Sequence, residues 1–401
     1  MSMYKIIKNE FYKFLKNRKN LIIIALVFVY LLGINIFNGY KSKGYMMETS
    51  MLYVNKRYQA EAILGQDILT LEKEENLTVE EREELIKKTE FYKVEKNKLL
   101  SIEHNYRENN EEKYKHILIA EIERYNNIIR NIEEGVIPKE FLLDKGLTIE
   151  DMKKALILNQ YILDNEIQPI LNPYTMTGAN ALKMFLEGNN LLVLMLLIAL
   201  LSIDIYLAEV EEGSYKLSYS QPFGRKELYL GKMFTVGIIS LLLILAGFLL
   251  NFIILWLIYG LGNINYPFIA SSNLWFSSTI EYRIIPLWKY AVMGFGLLIP
   301  VLLFTISMVM SISIFLDSST KTLGISIMLL ALAFIFNNFV PKDSIVNLIY
   351  PYCYLFIDNV IEVNTNTNYL FGILLNSILT ILLFLTSYIA FIRKDFLGAR
   401  E

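Results

Sequence analysis

The chain has 401 residues, 54% of them hydrophobic and 19% charged, with a mean hydropathy of +0.39 and a formal net charge of −2 at pH 7. This is too apolar for a soluble globule, and the near-neutral balance argues against a nucleic-acid partner. The one cysteine, Cys353, excludes an intrachain disulfide.

Residues 1–19 read as a cytoplasmic amphipathic interfacial helix. Met3, Ile6, Ile7, Phe11, Phe14 and Leu15 share one face, while Lys5, Lys8, Lys13 and Lys16 lie largely off it. Residues 20–38 hold the first apolar run, Leu21–Phe37. Its long basic leader and the absence of a small-x-small site in Gly33-Ile-Asn-Ile-Phe distinguish it from a cleavable signal.

Residues 39–187 carry 21 basic and 27 acidic residues, a net −6, and no long apolar run. Their pattern is helical. Thr78-Val-Glu-Glu81 has the form of a capping box, after which Leu85, Tyr92, Leu99 and Tyr106 recur every seven residues. Beyond Asn109-Asn110 a second stripe runs through Leu118, Ile122, Tyr125, Ile129 and Ile132. Two such stripes with a polar break predict an antiparallel helical hairpin. Gly135 closes it, and Thr148-Ile-Glu-Asp151 opens a further helix.

Five more apolar runs follow within 188–401: Asn190–Leu207, Phe234–Tyr259, Leu287–Phe315, Leu323–Val340 and Tyr369–Ile392. A membrane span needs about 20 apolar residues to cross about 30 Å of hydrocarbon, so six spans are expected. Lys and Arg set the orientation. They crowd before the first run and recur at Lys216, Arg225, Lys226, Lys232, Lys321, Arg393, Lys394 and Arg400; the intervening loops carry Arg283 and Lys342. Both termini are therefore expected in the cytoplasm and residues 39–187 outside the cell. The stretch 343–362, interrupted by Pro351, would reverse the last span if it crossed; a re-entrant element entering from outside fits the charge pattern. In the loop from Gly260 to Pro286, Tyr266, Trp275, Phe276 and Tyr282 suit a membrane interface.

Within the spans polar residues are sparse. Asp204 lies about one turn from the cytoplasmic end of the second. Asn251, Asn337 and Asn376 are candidates for a substrate pathway or for interhelical hydrogen bonds. The absence of an ordered chain of acids disfavours an ion-driven pump. No G-x-x-x-x-G-K-[ST] motif, nucleophile elbow or H-E-x-x-H occurs, and His104 and His116 form no metal-ligand pattern. Chemistry within this chain, and a cofactor or metal of its own, are not expected.

The loop 208–232 carries the most specific signal: Glu209, Glu211, Glu212, Gly213 and Ser214, then Pro222, Arg225 and Lys226, then Lys232 at the mouth of the third span. The order Glu-x-Gly-Ser, Pro-x-x-Arg, Lys exceeds what a positive-inside loop requires. It resembles the cytoplasmic coupling loop of ABC transporter permeases of the ABC-two exporter superfamily. The leader helix with Glu10, Phe11 and Phe14 and the order of the spans resemble that family too, whereas 39–187 resembles its members with an enlarged first extracellular domain.

That resemblance implies an all-α integral membrane protein with six transmembrane helices, an N-terminal interfacial helix and an extracellular helical domain. It implies a permease that pairs with a second copy or a paralogue in the membrane lipid and is driven by two copies of an ABC ATPase subunit, which bind the ATP and Mg. The apolar interior points to an amphipathic or hydrophobic substrate, such as an antimicrobial peptide, a lipid or a drug. The Lys-, Asn- and Ile-rich composition is like that of AT-rich Gram-positive bacteria. The alternatives are a non-transporting scaffold that senses envelope stress and a sodium-extruding permease of similar layout.

Overall fold

The computed structural model describes residues 3–73, 77–108, 110–138, 142–144, 146–214, 224–271, 281–341, 344–362 and 368–394. Asn109, Lys216, Pro222, Trp275, Phe276, Lys342, Asp343 and Arg400 lie outside the described residues. The elements are α1 (Met3–Lys16), α2 (Arg18–Lys73), α3 (Val79–Glu108), α4 (Tyr114–Glu133), α5 (Ile149–Asp164), α6 (Gly178–Phe185), α7 (Gly188–Glu211) and α8 (Arg225–Tyr259). A two-stranded sheet, β1 (Pro267–Ser271) and β2 (Tyr282–Pro286), follows, then α9 (Leu287–Leu316), α10 (Ser319–Phe339), the short helices α11 (Ile345–Ile349) and α12 (Ile357–Ile361), and α13 (Tyr369–Arg393). Among the described residues the protein is all-α apart from that sheet, and six helices are long and apolar enough to cross a membrane: α2, α7, α8, α9, α10 and α13.

The chain divides into two compact units, residues 1–35 with 177–401, and residues 36–176. In the first, α9 and α7 are the most covered spans, whereas α2, α10 and α13 leave most of their apolar surface bare. Such a surface is stable in hydrocarbon, where apolar side chains lose nothing by facing the solvent. Residues 345–361 form three short helical turns broken at Pro351, too short to cross, with Tyr352, Tyr354 and Leu355 buried in the core. The strands were not legible in the sequence. Phe268 pairs with Ile285 and Ile269 with Ile284, a β-branched register whose signal is shorter than any helical run around it.

The boundary between the units falls at 176–177. The short helix α6 belongs with the spans: Ala179 N–H donates to Leu261 O at 2.7 Å, and Ala179, Leu182 and Phe185 join their core. At Gly178 a Cβ would lie 3.0 Å from Trp256 Cβ, so glycine permits this approach to α8.

The second unit holds α2 from Ile36 to its end at Lys73, together with α3, α4 and α5. Ion pairs between α3 and α4 and across their turn recede from it in step, Glu108–Lys113, Lys98–Glu123 and Glu95–Arg124, which makes the pair antiparallel. Tyr92, Leu99 and Tyr106 of the first stripe are buried, as are Leu118 and Ile129 of the second. Both sequence-predicted capping boxes form, at Thr78–Glu81 and Thr148–Asp151.

Glu121 of α4 accepts a hydrogen bond from Tyr53 Oη at 2.6 Å. Burial holds its carboxyl above the ordinary glutamate value of 4.5, against the opposing pull of that bond and of the Arg124 charge. A carboxyl raised in the folded state contributes stability at low pH and loses it as pH climbs through its folded value. The Glu121→Gln variant is therefore expected to weaken the fall in stability of this unit above pH 4.5, read as hydrogen-exchange protection of α3 and α4 across a pH series. An unchanged slope would assign the fall to other groups.

Candidate functional site

The ends of the spans that precede and follow the loop 208–232 meet at one end of the first unit. The N-terminal ends of α8 and α10 are joined there by polar contacts to the C-terminal ends of α7 and α13, that of α9 is joined to that of α13, and the start of α2 is joined to α1 through Asn20 Nδ2, which donates to Phe14 O. The sequence dictates the local ends. Gly213, at φ +71°, adopts the left-handed conformation that stops α7, a position where a Cβ would be strained. Its N–H donates to Val210 O at 3.2 Å.

The centre of this end is a network of four charged side chains from α1, α7 and α8. Lys232 Nζ lies 3.2 Å from Glu10 Oε2 and 3.0 Å from Glu209 Oε2, and donates to Ile205 O at 2.8 Å. Lys13 Nζ closes the ring, 2.9 Å from Glu10 Oε1 and 3.0 Å from Glu209 Oε1. Lys232 is 1% exposed and Glu10 is 3% exposed. The two carboxylates and two ammonium groups cancel, which removes the large cost of an isolated buried charge. Glu10 occupies the middle of the buried stripe Ile6–Glu10–Phe14 on α1, and Phe11 is half-buried beside it. Ile6 packs against Gly231, where a Cβ would lie 2.6 Å from Ile6 Cγ2, so the glycine next to Lys232 lets α1 lie close against α8.

A second set of contacts ties the remaining ends together. Glu211 Oε1 accepts from the N–H of Ser319 at 2.9 Å, joining α7 to the start of α10. Arg225 Nη1 donates to Ile392 O and Lys394 O, each at 2.9 Å, and so satisfies the open carbonyls at the end of α13. Lys394 Nζ pairs with Asp317 Oδ2 at 2.5 Å, and Tyr206 Oη donates to Asp317 Oδ1 at 3.3 Å. Asp317 is the left-handed cap of α9, at φ +47°.

The residues that the sequence grouped into one loop thus take different places. Glu209 faces the buried ring, Glu211 and Arg225 serve neighbouring helix ends, and Glu212 and Lys226 remain exposed. Ser214 Oγ approaches Glu209 O at 3.5 Å, and Pro222 lies outside the described residues. The sequence reads Lys13 only as a basic residue of the leader helix, and Lys232 as the last element of the loop pattern, at the mouth of the third span. What marks Lys232 is its position between Gly231 and Met233-Phe234, a cation already inside an apolar helix.

Of the intramembrane amides, Asn251 and Asn337 each meet another asparagine, whereas Asn376 bonds to backbone. Asn251 Oδ1 accepts from Asn35 Nδ2, linking α8 to α2. Asn337 Oδ1 accepts from Asn359 Nδ2 at 2.7 Å, and Asn376 Nδ2 donates to Gly372 O at 3.0 Å. Asp204 stands apart from these, on the wall of a cavity between α1 and α7.

The ring ties α1, α7 and α8 to one another through buried ion pairs. A family model described as "ABC-2 family transporter protein" matches residues 4–396. No curated protein and no solved structure matches the chain.

Proposed function

The chain belongs to the ABC-2 transporter family and is a multi-pass membrane permease subunit of an ABC transporter; from that premise we propose that it exports an amphipathic or hydrophobic substrate and is driven through the loop 208–232. In this reading a separate ABC ATPase, in two copies, docks on the exposed Glu212 and Lys226 and supplies the ATP and Mg. A second permease copy or a paralogue completes the substrate route. Both termini then lie in the cytoplasm and residues 39–187 outside.

The observation that supports this most is the buried ring of Glu10, Lys13, Glu209 and Lys232, two members of which, Glu209 and Lys232, flank the loop in sequence. It gives a push on the loop a stiff path into α1, α7 and α8, which a passive scaffold does not need. Hydrolysis on the ATPase pair would move the loop, and the helices would follow together.

The test uses Glu212→Lys with Lys226→Glu. Both side chains are exposed and neither belongs to the ring, so thermal stability should change by less than about 0.5 kcal/mol. ATPase co-purification from native membranes is expected to fall, or ATP turnover to lose its dependence on substrate. If wild-type permease brings down no ATPase at all, the chain is a signalling scaffold instead. Unchanged association with coupled turnover in the double variant would place the docking surface elsewhere.

A further inference from the structure

We infer that the exposed face of α2 between Tyr40 and Leu69 docks a second copy of this chain, whose own α2 lies parallel and in register against it. This part of α2 has two apolar faces. One, with Met46, Tyr53 and Ala60, packs into the core of residues 36–176. The other carries Tyr40, Met47, Met51, Tyr58 and Leu69, which are between 48% and 78% exposed. Lys41, Lys43, Glu48, Lys56 and Arg57 along the same stretch keep it out of hydrocarbon. Five large apolar side chains on one face of a helix in water mark an interaction surface.

The spacing identifies the occupant as a long helix. Tyr40, Met51 and Ala62 form one series with an 11-residue repeat, and Met47, Tyr58 and Leu69 form a second. Eleven residues in three turns give about 3.67 per turn, close to the 3.6 of the helix itself, so the stripe runs nearly straight for about 45 Å. A seam of that period and length is filled by another helix whose side chains enter the gaps between these. The chain itself supplies that helix. Two copies inserted in one membrane with the same orientation present α2 in parallel, and a two-fold axis brings each stripe residue to its own counterpart. The edges of the stripe complement each other in that arrangement. Lys43 lies on one edge and Glu48 on the other; both are exposed, and neither forms an ion pair among the described residues. In a parallel pair, a residue on one edge meets the opposite edge of the other helix about five positions further along. Lys43 therefore faces Glu48 of the partner subunit, and the two-fold axis makes the contact twice. Asn55 is exposed within the stripe and meets its own counterpart; one amide in an apolar seam fixes the register.

This inference rests on the reading that a second permease completes the transporter, and identifies that permease as the same chain. It is tested on the full-length protein in native membranes, with Cys353 replaced by alanine. Single cysteines at Met51, at Tyr58 and, as a control, at the exposed Lys93 of α3 are mildly oxidised, and the covalent products are read by mass. The native mass of the wild-type protein in detergent counts the copies. Met51→Cys and Tyr58→Cys are each expected to give at least about tenfold more covalent homodimer than Lys93→Cys, because a disulfide forms only where Cα atoms come within about 7 Å. Lys43→Glu, which sets two acids against each other, is expected to lower the Tyr58→Cys yield severalfold, and adding Glu48→Lys to restore it. A yield untouched by both charge changes would overturn the in-register pairing. Two permease copies in the native mass, with stripe cysteines no more reactive than Lys93→Cys, would overturn this face while leaving the second copy in place. A single copy would overturn both the inference and the reading it rests on. Cross-linking of the stripe to a chain of different mass would assign the face to another partner and overturn the inference alone.

Discussion

Replacing Lys232 with methionine is expected to destabilise the membrane unit by about 3–5 kcal/mol, because it strands buried carboxylates without their counter-charge. Glu10 and Glu209 would keep only Lys13, which is 37% exposed and shared between them. The loss should appear as a lower thermal unfolding midpoint of the purified protein in detergent. Adding Glu10→Gln and Glu209→Gln to the same chain removes the stranded charge. Most of the stability should then return, since an apolar or neutral replacement of a whole buried ion pair is often tolerated. A single variant as stable as wild type would show that water reaches the ring and screens it. The rescued triple variant also separates packing from force transmission: it should be stable yet transmit a push on the loop less stiffly, read as weaker substrate stimulation of the partner's ATP turnover.

The second large effect is expected in residues 36–176. Arg124 is 1% exposed and bridges Glu95 Oε1 at 2.7 Å and the Asp144 carboxylate. Arg124→Met should cost about 3–5 kcal/mol at neutral pH by leaving those two carboxylates in the core. The effect carries a pH signature. Burial already holds Glu95 above the ordinary glutamate range despite Arg124, whereas burial of Asp144 is outweighed by Arg124 and Lys56, which hold it below the aspartate range. In wild type the Asp144 contribution is present above the unfolded value of 3.8 and lost as pH falls through the lower folded value. Without Arg124 both carboxyls are expected to titrate above their unfolded values, so the variant recovers stability as they protonate in acid. The gap between variant and wild type should therefore be widest at neutral pH and narrow toward pH 4.5 and below. Hydrogen-exchange protection of α3 and α4 in the full-length protein measures it. A gap independent of pH would mean that lost packing, not stranded charge, causes the destabilisation.

The six spans were legible in the sequence because each is a continuous apolar run, and hydrocarbon selects for that property one helix at a time. The helical pairing of α3 and α4 was legible for a similar reason: Tyr92, Leu99 and Tyr106 repeat at the period of one helix face, and the two capping boxes are written in consecutive residues. Glu10, Lys13, Glu209 and Lys232 are different. Glu10 and Lys232 are separated by 222 positions, and no local pattern names which carboxylates a buried lysine will meet. Likewise Glu211 and Arg225 look like partner-facing charges within their loop, yet each turns to the end of a helix that comes much later in the chain. Arg124 sits in a heptad region whose polar positions read as solvated, and only the arrival of Glu95 and Asp144 makes it a core residue. Local periodicity and hydropathy determined which segments are helices and which of them can enter a bilayer. Which charges face one another was decided by tertiary packing, because an ion pair's energy depends on the distance and burial of two groups that the chain brings together only when it folds.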